Sequence, residues 1–224
     1  MLRAKYAAKG ALARVVPRRR LMWCRRSQAC RSVALTFDDG PHPTVTARLL
    51  DLLDGLGVKA TFFVLGTRVS EQAHLVKRIH EAGHEIGSHG FSHVSMRSMT
   101  DAEVITNLAR CDAAIAAAGA AVPALFRPPY GEYRLRQLPL LWGLNKTVAL
   151  WSIDSRDFEA SSPDSVMASV PVHRLRGGDI VLFHDQFAHT VEAVGELVQR
   201  IRRRGLGLGT IGAMIGDSPR DGTR

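Results

Sequence analysis

The sequence predicts an α/β fold in which about seven strand and helix units close, or nearly close, into a distorted (β/α) barrel. From residue 32 onward, short apolar runs alternate with amphipathic stretches of helical length. Strands separated by such helices cannot form a meander, so they pair in parallel through crossovers. The runs themselves, such as Asp179 to Phe183 (DIVLF), are apolar nearly throughout, as strands buried on both faces are. A third observation separates this fold from a dinucleotide-binding sheet: no Gly-rich fingerprint follows the first strand.

Each element has its own signal. Arg31 to Phe37 reads as the first strand, stopped at once by Gly40-Pro41. Thr44 to Leu56 places Val45, Leu49, Leu52, Leu53 and Leu56 at helical spacing, closed by Gly55 and Gly57. Lys59 to Leu65 (KATFFVL) is a second strand. Ser70 is expected to cap a helix running to Ala82, with Leu75, Val76 and Ile79 inward and Gly83 at its end. His84 to Ser88 is a short strand. Thr100 and Glu103 form a capping box that opens an alanine-rich helix reaching Gly119. Ala124 to Arg127 is strand-like and ends at Pro128-Pro129. Thr147 to Ile153 (TVALWSI), Asp179 to Phe183 and Leu206 to Ile211 complete the strands, with helices around Asp164 to Val172 and Thr190 to Arg203.

A chain of 224 residues can bury one substantial core. The expected division is a leader over residues 1–31, a single domain over 32–212 and a tail over 213–224. The formal charge of +9 is a property of the leader, which holds ten Lys and Arg and no acid, leaving 20 basic and 21 acidic residues elsewhere. No nucleic-acid partner is therefore expected, and no aromatic platform or recognition motif suggests one. Arg14, Arg18, Arg19 and Arg20 interrupt every stretch that could act as an export signal, and no window reaches the ~20 apolar residues of a membrane span. So charged a segment does not offset its ordering entropy, and disorder is the expectation. A surface anchor for anionic lipid and an extension from an upstream start codon are the alternative readings. Cys24, Cys30 and Cys111 include no CxxC pair and support neither a zinc knuckle nor a disulfide framework.

The polar constellations fall at strand ends. In Thr36-Phe37-Asp38-Asp39-Gly40-Pro41 two adjacent carboxylates repel unless a cation on one leaves the other as a base; the plain alternative is a solvated turn. Ser88-His89-Gly90-Phe91-Ser92-His93 places two imidazoles four residues apart. With Asp39 they make a three-ligand set that leaves a coordination position open, as catalytic sites do. Arg127-Pro128-Pro129-Tyr130-Gly131 reads as a rigid loop that would fix an arginine and expose the Tyr130 backbone N–H, the plain alternative being an ordinary Pro-rich turn. The stretches Asp154-Ser155-Arg156-Asp157-Phe158 and Leu182-Phe183-His184-Asp185 end the next two strands, Thr147 to Ile153 and Asp179 to Phe183, and His184 is either scaffold or an acid–base group.

In that order, TFDDGP (36–41), HGFSH (89–93), RPPYG (127–131), DSRDF (154–158) and LFHD (182–185) resemble the five motifs of the NodB-like polysaccharide deacetylases, carbohydrate esterase family 4. The resemblance spans residues 32–212. It implies a distorted barrel and a Zn²⁺-dependent hydrolase, with Co²⁺ or Mn²⁺ acceptable to the same ligand types, removing N-acetyl groups from chitooligosaccharide or peptidoglycan. It implies that Asp39, His89 and His93 hold the metal, that Asp38 is the base acting on metal-activated water, and that His184 is the acid. Arg127 would pair with the base and Asp157 would orient the acid. The Tyr130 N–H would hold the oxyanion, while Phe158 and Leu182 would line the acetyl slot. Two departures stand out. Gly90 replaces the family's Ser or Thr, which removes a hydrogen bond that steadies the loop and implies weaker metal binding. Phe158 replaces a Trp, which loosens the pocket or admits another acyl group. The implied place of work is the cell envelope. The rival reading is a metal-dependent hydrolase of a non-sugar amide, because the Gly131 to Lys146 loop is short for a long glycan groove. A non-catalytic sugar binder would have lost the base or a ligand, and all are present.

Overall fold

The structure, a computed structural model, describes Leu21–Met22 and residues 30–216. Strands β2 (Ser32–Asp38), β3 (Thr61–Val64), β4 (Glu85–Ser88), β5 (Leu125–Phe126), β6 (Thr147–Ala149), β7 (Ile153–Asp154) and β8 (Ile180–His184) form a parallel row in the order β6-β5-β4-β3-β2-β8-β7. This is the expected distorted barrel of seven strands. Two short additions extend it: β1 (Leu21–Met22) pairs with β6, and β9 (Gly207–Gly209) pairs with the first residues of β2.

The helices between strands are α1 (Val45–Gly55), α2 (Gly66–Glu71), α3 (Ala73–Glu81), α4 (Asp101–Ala117), α5 (Leu138–Gly143), α6 (Pro163–Ser169), α7 (Ala188–Arg203) and α8 (Ile211–Gly216). The Thr100/Glu103 capping box forms as expected: the Thr100 hydroxyl accepts from Glu103 N, and Thr100 N donates to the Glu103 carboxylate at 2.7 Å. The core follows from apolar strands meeting apolar helix faces. Phe37 of β2 stacks on Phe62 of β3 and Phe183 of β8 at centroid distances of 5.2 and 5.7 Å, and Leu49, Leu53 and Ile79 close over them from the helices. Each such side chain contributes roughly 1.5–3 kcal/mol on leaving water.

Four expectations need correction. Ser70 caps no helix; it lies inside α2, where its hydroxyl donates to the Gly66 carbonyl. The helix begins early because Gly66 packs on Phe91, whose ring would be 2.5 Å from a Cβ there. The run TVALWSI is two strands at opposite ends of the row, one on β5 and one on β8. The buried Arg127 side chain takes the carbonyls of Ala149 and Leu150, which removes the acceptors a continuous strand would offer a neighbour. The boundary at residue 32 is crossed by β1, whose Leu21 is buried against Val148 and Leu150 in the core. The boundary at 212 falls inside α8, where Ile211 and Met214 are both buried. The expected disorder of the leader concerns residues 1–20 and 23–29, which lie outside the described residues, as do 217–224. No described helix is long and apolar enough to cross a membrane.

Candidate active site

Parallel strands deliver their carboxyl ends to one face, and there a cavity of about 510 Å³ opens. Asp38, Asp39, His89, His93, Tyr130, Phe158, Leu182 and His184 all line it, so eight of the ten residues singled out in the sequence meet in one place. The other two, Arg127 and Asp157, are fully buried behind Asp38 and His184.

On one wall, Asp39, the residue after β2, has a left-handed backbone (φ 73°), which turns its carboxylate toward the loop after β4. His89 Nε2 lies 3.4 Å and His93 Nε2 3.3 Å from Asp39 Oδ1. His89 Nδ1 donates to the Arg127 carbonyl at 2.7 Å, which fixes the ring and leaves Nε2 as the free acceptor. Asp39 Oδ1 is buried and makes no hydrogen bond among the described residues. An orphaned carboxylate oxygen faced by two imidazole nitrogens, all within 4.8 Å of one another, fits a divalent cation with an open coordination position. Burial alone would raise the Asp39 carboxyl, but contact with His89 and the charges of His89, His93 and His184 outweigh it and hold the carboxyl below its ordinary value. Burial lowers His93, with Asp39 opposing.

The loop carrying the histidines is not left loose by Gly90. Asn107, from the middle of α4, accepts the Phe91 N–H at 2.9 Å and approaches Ser92 Oγ at 3.4 Å. Gly90 sits at φ 85°, where a Cβ would come within 2.7 Å of the Asn107 carbonyl oxygen. Asn107 thus ties the loop to α4 at the two residues that follow Gly90. Arg110 adds a contact, its guanidinium 3.7 Å above the Phe91 ring.

Asp38 stands at the centre. Its Oδ1 accepts Arg127 Nη1 at 2.7 Å, while Arg127 also donates to Thr36 Oγ1, the Ala149 carbonyl and the Leu150 carbonyl, and lies 4.1 Å over the Phe63 ring. Burial pulls the guanidinium down from its ordinary value, and the Asp38 charge opposes that. Asp38 and His184 are register partners at the ends of β2 and β8.

The opposite wall is a relay. His184 Nδ1 donates to Asp157 Oδ1 at 2.7 Å, and Asp157 Oδ2 receives both the His184 N–H at 2.7 Å and Thr190 Oγ1 at 2.9 Å. Burial by itself would lower His184; the Asp157 hydrogen bond and charge, then Asp38 and Asp39, raise it to about 9. The imidazolium is therefore the form present at neutral pH. Phe158, half exposed, meets the His184 ring edge-on at 5.5 Å. Tyr130 also has a left-handed backbone (φ 60°) and is 61% exposed at the cavity.

Several contributors were not singled out in the sequence. Trp151 Nε1 and Tyr133 Oη are buried at the cavity without partners among the described residues, and Phe187 flanks His184 at 6.3 Å. Thr190 and Asn107 act through Asp157 and the histidine loop. Their only sequence signal is a polar residue on an otherwise inward helix face, a weak one.

Comparison with known proteins agrees with the geometry. Residues 25–144 match the family model described as polysaccharide deacetylase. A chitooligosaccharide deacetylase from a Bradyrhizobium species is 35% identical over 190 residues, covering 78% of this chain and 86% of that protein. A peptidoglycan-N-acetylglucosamine deacetylase from Bacillus cereus is 31% identical over 186 residues, covering 82% of this chain and 68% of its own. Among solved structures, a family 4 carbohydrate esterase from Streptomyces lividans in complex with acetate superposes with a TM-score of 0.76 at 34% identity, covering 81% of this chain and 94% of that one. The chain belongs to the polysaccharide deacetylase family and is a hydrolase of that class. The family match ends before Asp157 and His184.

Proposed function

We propose that this protein hydrolyses the N-acetyl group of N-acetylglucosamine units in chitooligosaccharide or peptidoglycan, with a divalent cation, zinc by preference, held by Asp39, His89 and His93. The observation that carries the reading is the pairing of Asp38 and His184 across adjacent strand ends, one backed by Arg127 and the other by Asp157, beside an unsatisfied cation set. When bound, the cation supplies water of lowered pKa, toward ~7, and polarises the acetyl carbonyl.

The remaining work belongs to the chain. Asp38 takes a proton from the attacking water; Arg127 on Oδ1 leaves Oδ2 to do so. Water adds to the acetamide carbon, and the Tyr130 N–H donates to the oxygen that becomes negative, a contribution of roughly 3 kcal/mol for a donor so placed. His184 Nε2 then gives its proton to the sugar nitrogen as the carbon–nitrogen bond breaks, leaving acetate and a free amine. Asp157, on the other ring nitrogen, holds the tautomer and orientation that this transfer needs. Leu182 and Phe158 bound the slot for the acetyl methyl, and the unpaired Trp151 and Tyr133 polar atoms are suited to sugar hydroxyls. We assign catalysis to the unit built on residues 32–212 together with β1 and α8, acting on an envelope glycan, as the named peptidoglycan relative supports.

The test is acetate release from N-acetylglucosamine oligomers and from peptidoglycan by the purified protein. Release that chelator stops, zinc restores and Asp38→Asn abolishes is the expected result. A protein that binds zinc yet releases no acetate from either glycan contradicts the sugar assignment and favours a small non-sugar amide.

A further inference from the structure

Beneath the turn that carries Asp39 lies a carboxyl group that the proposed reaction does not use. Asp185 follows His184 at the end of β8 and is only 1% exposed. Its Oδ2 accepts Thr46 Oγ1 at 2.5 Å. Thr46, in the first turn of α1, in turn accepts the His42 N–H at 2.7 Å, and the Asp185 N–H donates to the Asp38 carbonyl at 3.3 Å. Asp185 Oδ1 is buried with no hydrogen bond among the described residues. The Gly40 backbone rests against this carboxyl: a Cβ there would lie 2.0 Å from Oδ2 and 2.3 Å from Oδ1. A short, fully buried side chain has no room to swing away from such a contact. The Gly40 carbonyl is itself tied, accepting the Leu65 N–H at 3.0 Å.

Asp185 therefore joins the end of β8 to the start of α1 through Thr46, to Asp38 through its backbone N–H and to Gly40 through its carboxyl. It does not line the cavity, so it reaches the chemistry only through the turn. An apolar side chain would fill the same space without an unpaired oxygen, which costs free energy when buried. A buried carboxyl with one oxygen unpaired is not accounted for by packing alone.

We propose that Asp185, with Thr46, is a positioning residue: it sets the Asp39-Gly40-Pro41 turn and so aims Asp39 Oδ1 between His89 and His93 for the cation. This rests on the cation site proposed above. The contacts around Asp185 make the turn a clamped part, with its direction fixed from below by a hydrogen-bonded hydroxyl and from above by the Leu65 amide.

The experiment measures zinc affinity of the full metal-free chain by competition with a chromophoric chelator, beside the thermal midpoint of each variant. Asp185→Ala is expected to bind zinc about tenfold or more weakly, and Thr46→Val several-fold more weakly, in the range of outer-shell changes at metal sites. Asp185→Asn, which keeps the shape and an acceptor for Thr46, is expected to restore most of the affinity. Leu53→Ala, a cavity in the remote core, lowers the midpoint and leaves zinc affinity unchanged, which separates aiming from general loosening. Gly40→Ala weakens zinc binding through its clash, and adding Asp185→Ala to it recovers part of the loss. Should Asp185→Ala fail to fold, Thr46→Val and Gly40→Ala carry the same test. Zinc affinity unchanged within about twofold in Asp185→Ala and Thr46→Val, against the tenfold expected, overturns the role of Asp185 alone. An unaltered chain that binds no zinc overturns the cation site itself.

Discussion

The two walls of the cavity are built in opposite states of completion. On the His184 wall the carboxylate behind the ring is already matched: Asp157 accepts from the His184 ring, the His184 amide and the Thr190 hydroxyl, all at 2.7–2.9 Å. On the Asp39 wall the atoms converge without satisfying one another, at 3.3–3.4 Å, with a buried oxygen left over. Proton transfer needs a donor whose direction is set before substrate arrives, and His184, the proposed acid, is held by the protein alone. A cation set is completed by the ion, so its ligands stay close but unpaired. Asp38 belongs to the first kind, backed by a buried guanidinium that is itself held by Thr36 and the carbonyls of Ala149 and Leu150.

The sharpest break in that comparison comes from the base. Asp38→Asn still accepts from Arg127, so the fold survives, yet kcat falls by about 10³-fold or more because no proton acceptor remains; circular dichroism and acetate release on the same sample check both halves. His184→Ala should cost about 10²- to 10³-fold in kcat while zinc affinity stays the same, since the relay wall does not hold the ion. A parallel loss of zinc would mean the walls are not separate.

A pH measurement sharpens the contrast further. His184 is raised to about 9, so its extra stabilisation is complete below the ordinary histidine value and is lost as pH rises through about 9. NMR of the metal-free protein should find that titration near 9. Asp157→Asn should move it down, against the remaining pull of Asp38 and Asp39 and with burial now favouring the neutral ring. Bound zinc should also move it down, by placing positive charge beside Asp39. The smallest effect is expected at Asn107→Ala, where loss of the Phe91 N–H acceptor relaxes the histidine loop and weakens zinc binding by roughly 0.5–1.5 kcal/mol, the scale of one hydrogen bond. Calorimetric zinc titration reads it.

The site was more legible in the sequence than the frame that positions it. The aspartate pair, the paired histidines, Arg127 and His184 each end a strand that periodicity alone could place, so their meeting follows from a parallel barrel. Trp151 and Tyr133 carry no such mark, because nothing in spacing tells which indole or phenol keeps its polar atom unpaired. The division of TVALWSI into β6 and β7 was hidden because a side chain 22 residues away, Arg127, takes the Ala149 carbonyl. Asn107 was hidden for the same reason: its contact with Phe91 spans 16 residues and two elements. Local pattern records burial and turns; it does not record which distant polar group satisfies a backbone atom.

The most direct test titrates zinc into the metal-free protein while acetate release from a chitooligosaccharide is followed. With one cation set among the described residues, activity should rise from near zero and level off at about one ion per chain. Full activity in the metal-stripped protein, or activity that does not track occupancy, would contradict the account of a site whose second wall is completed only by its ion.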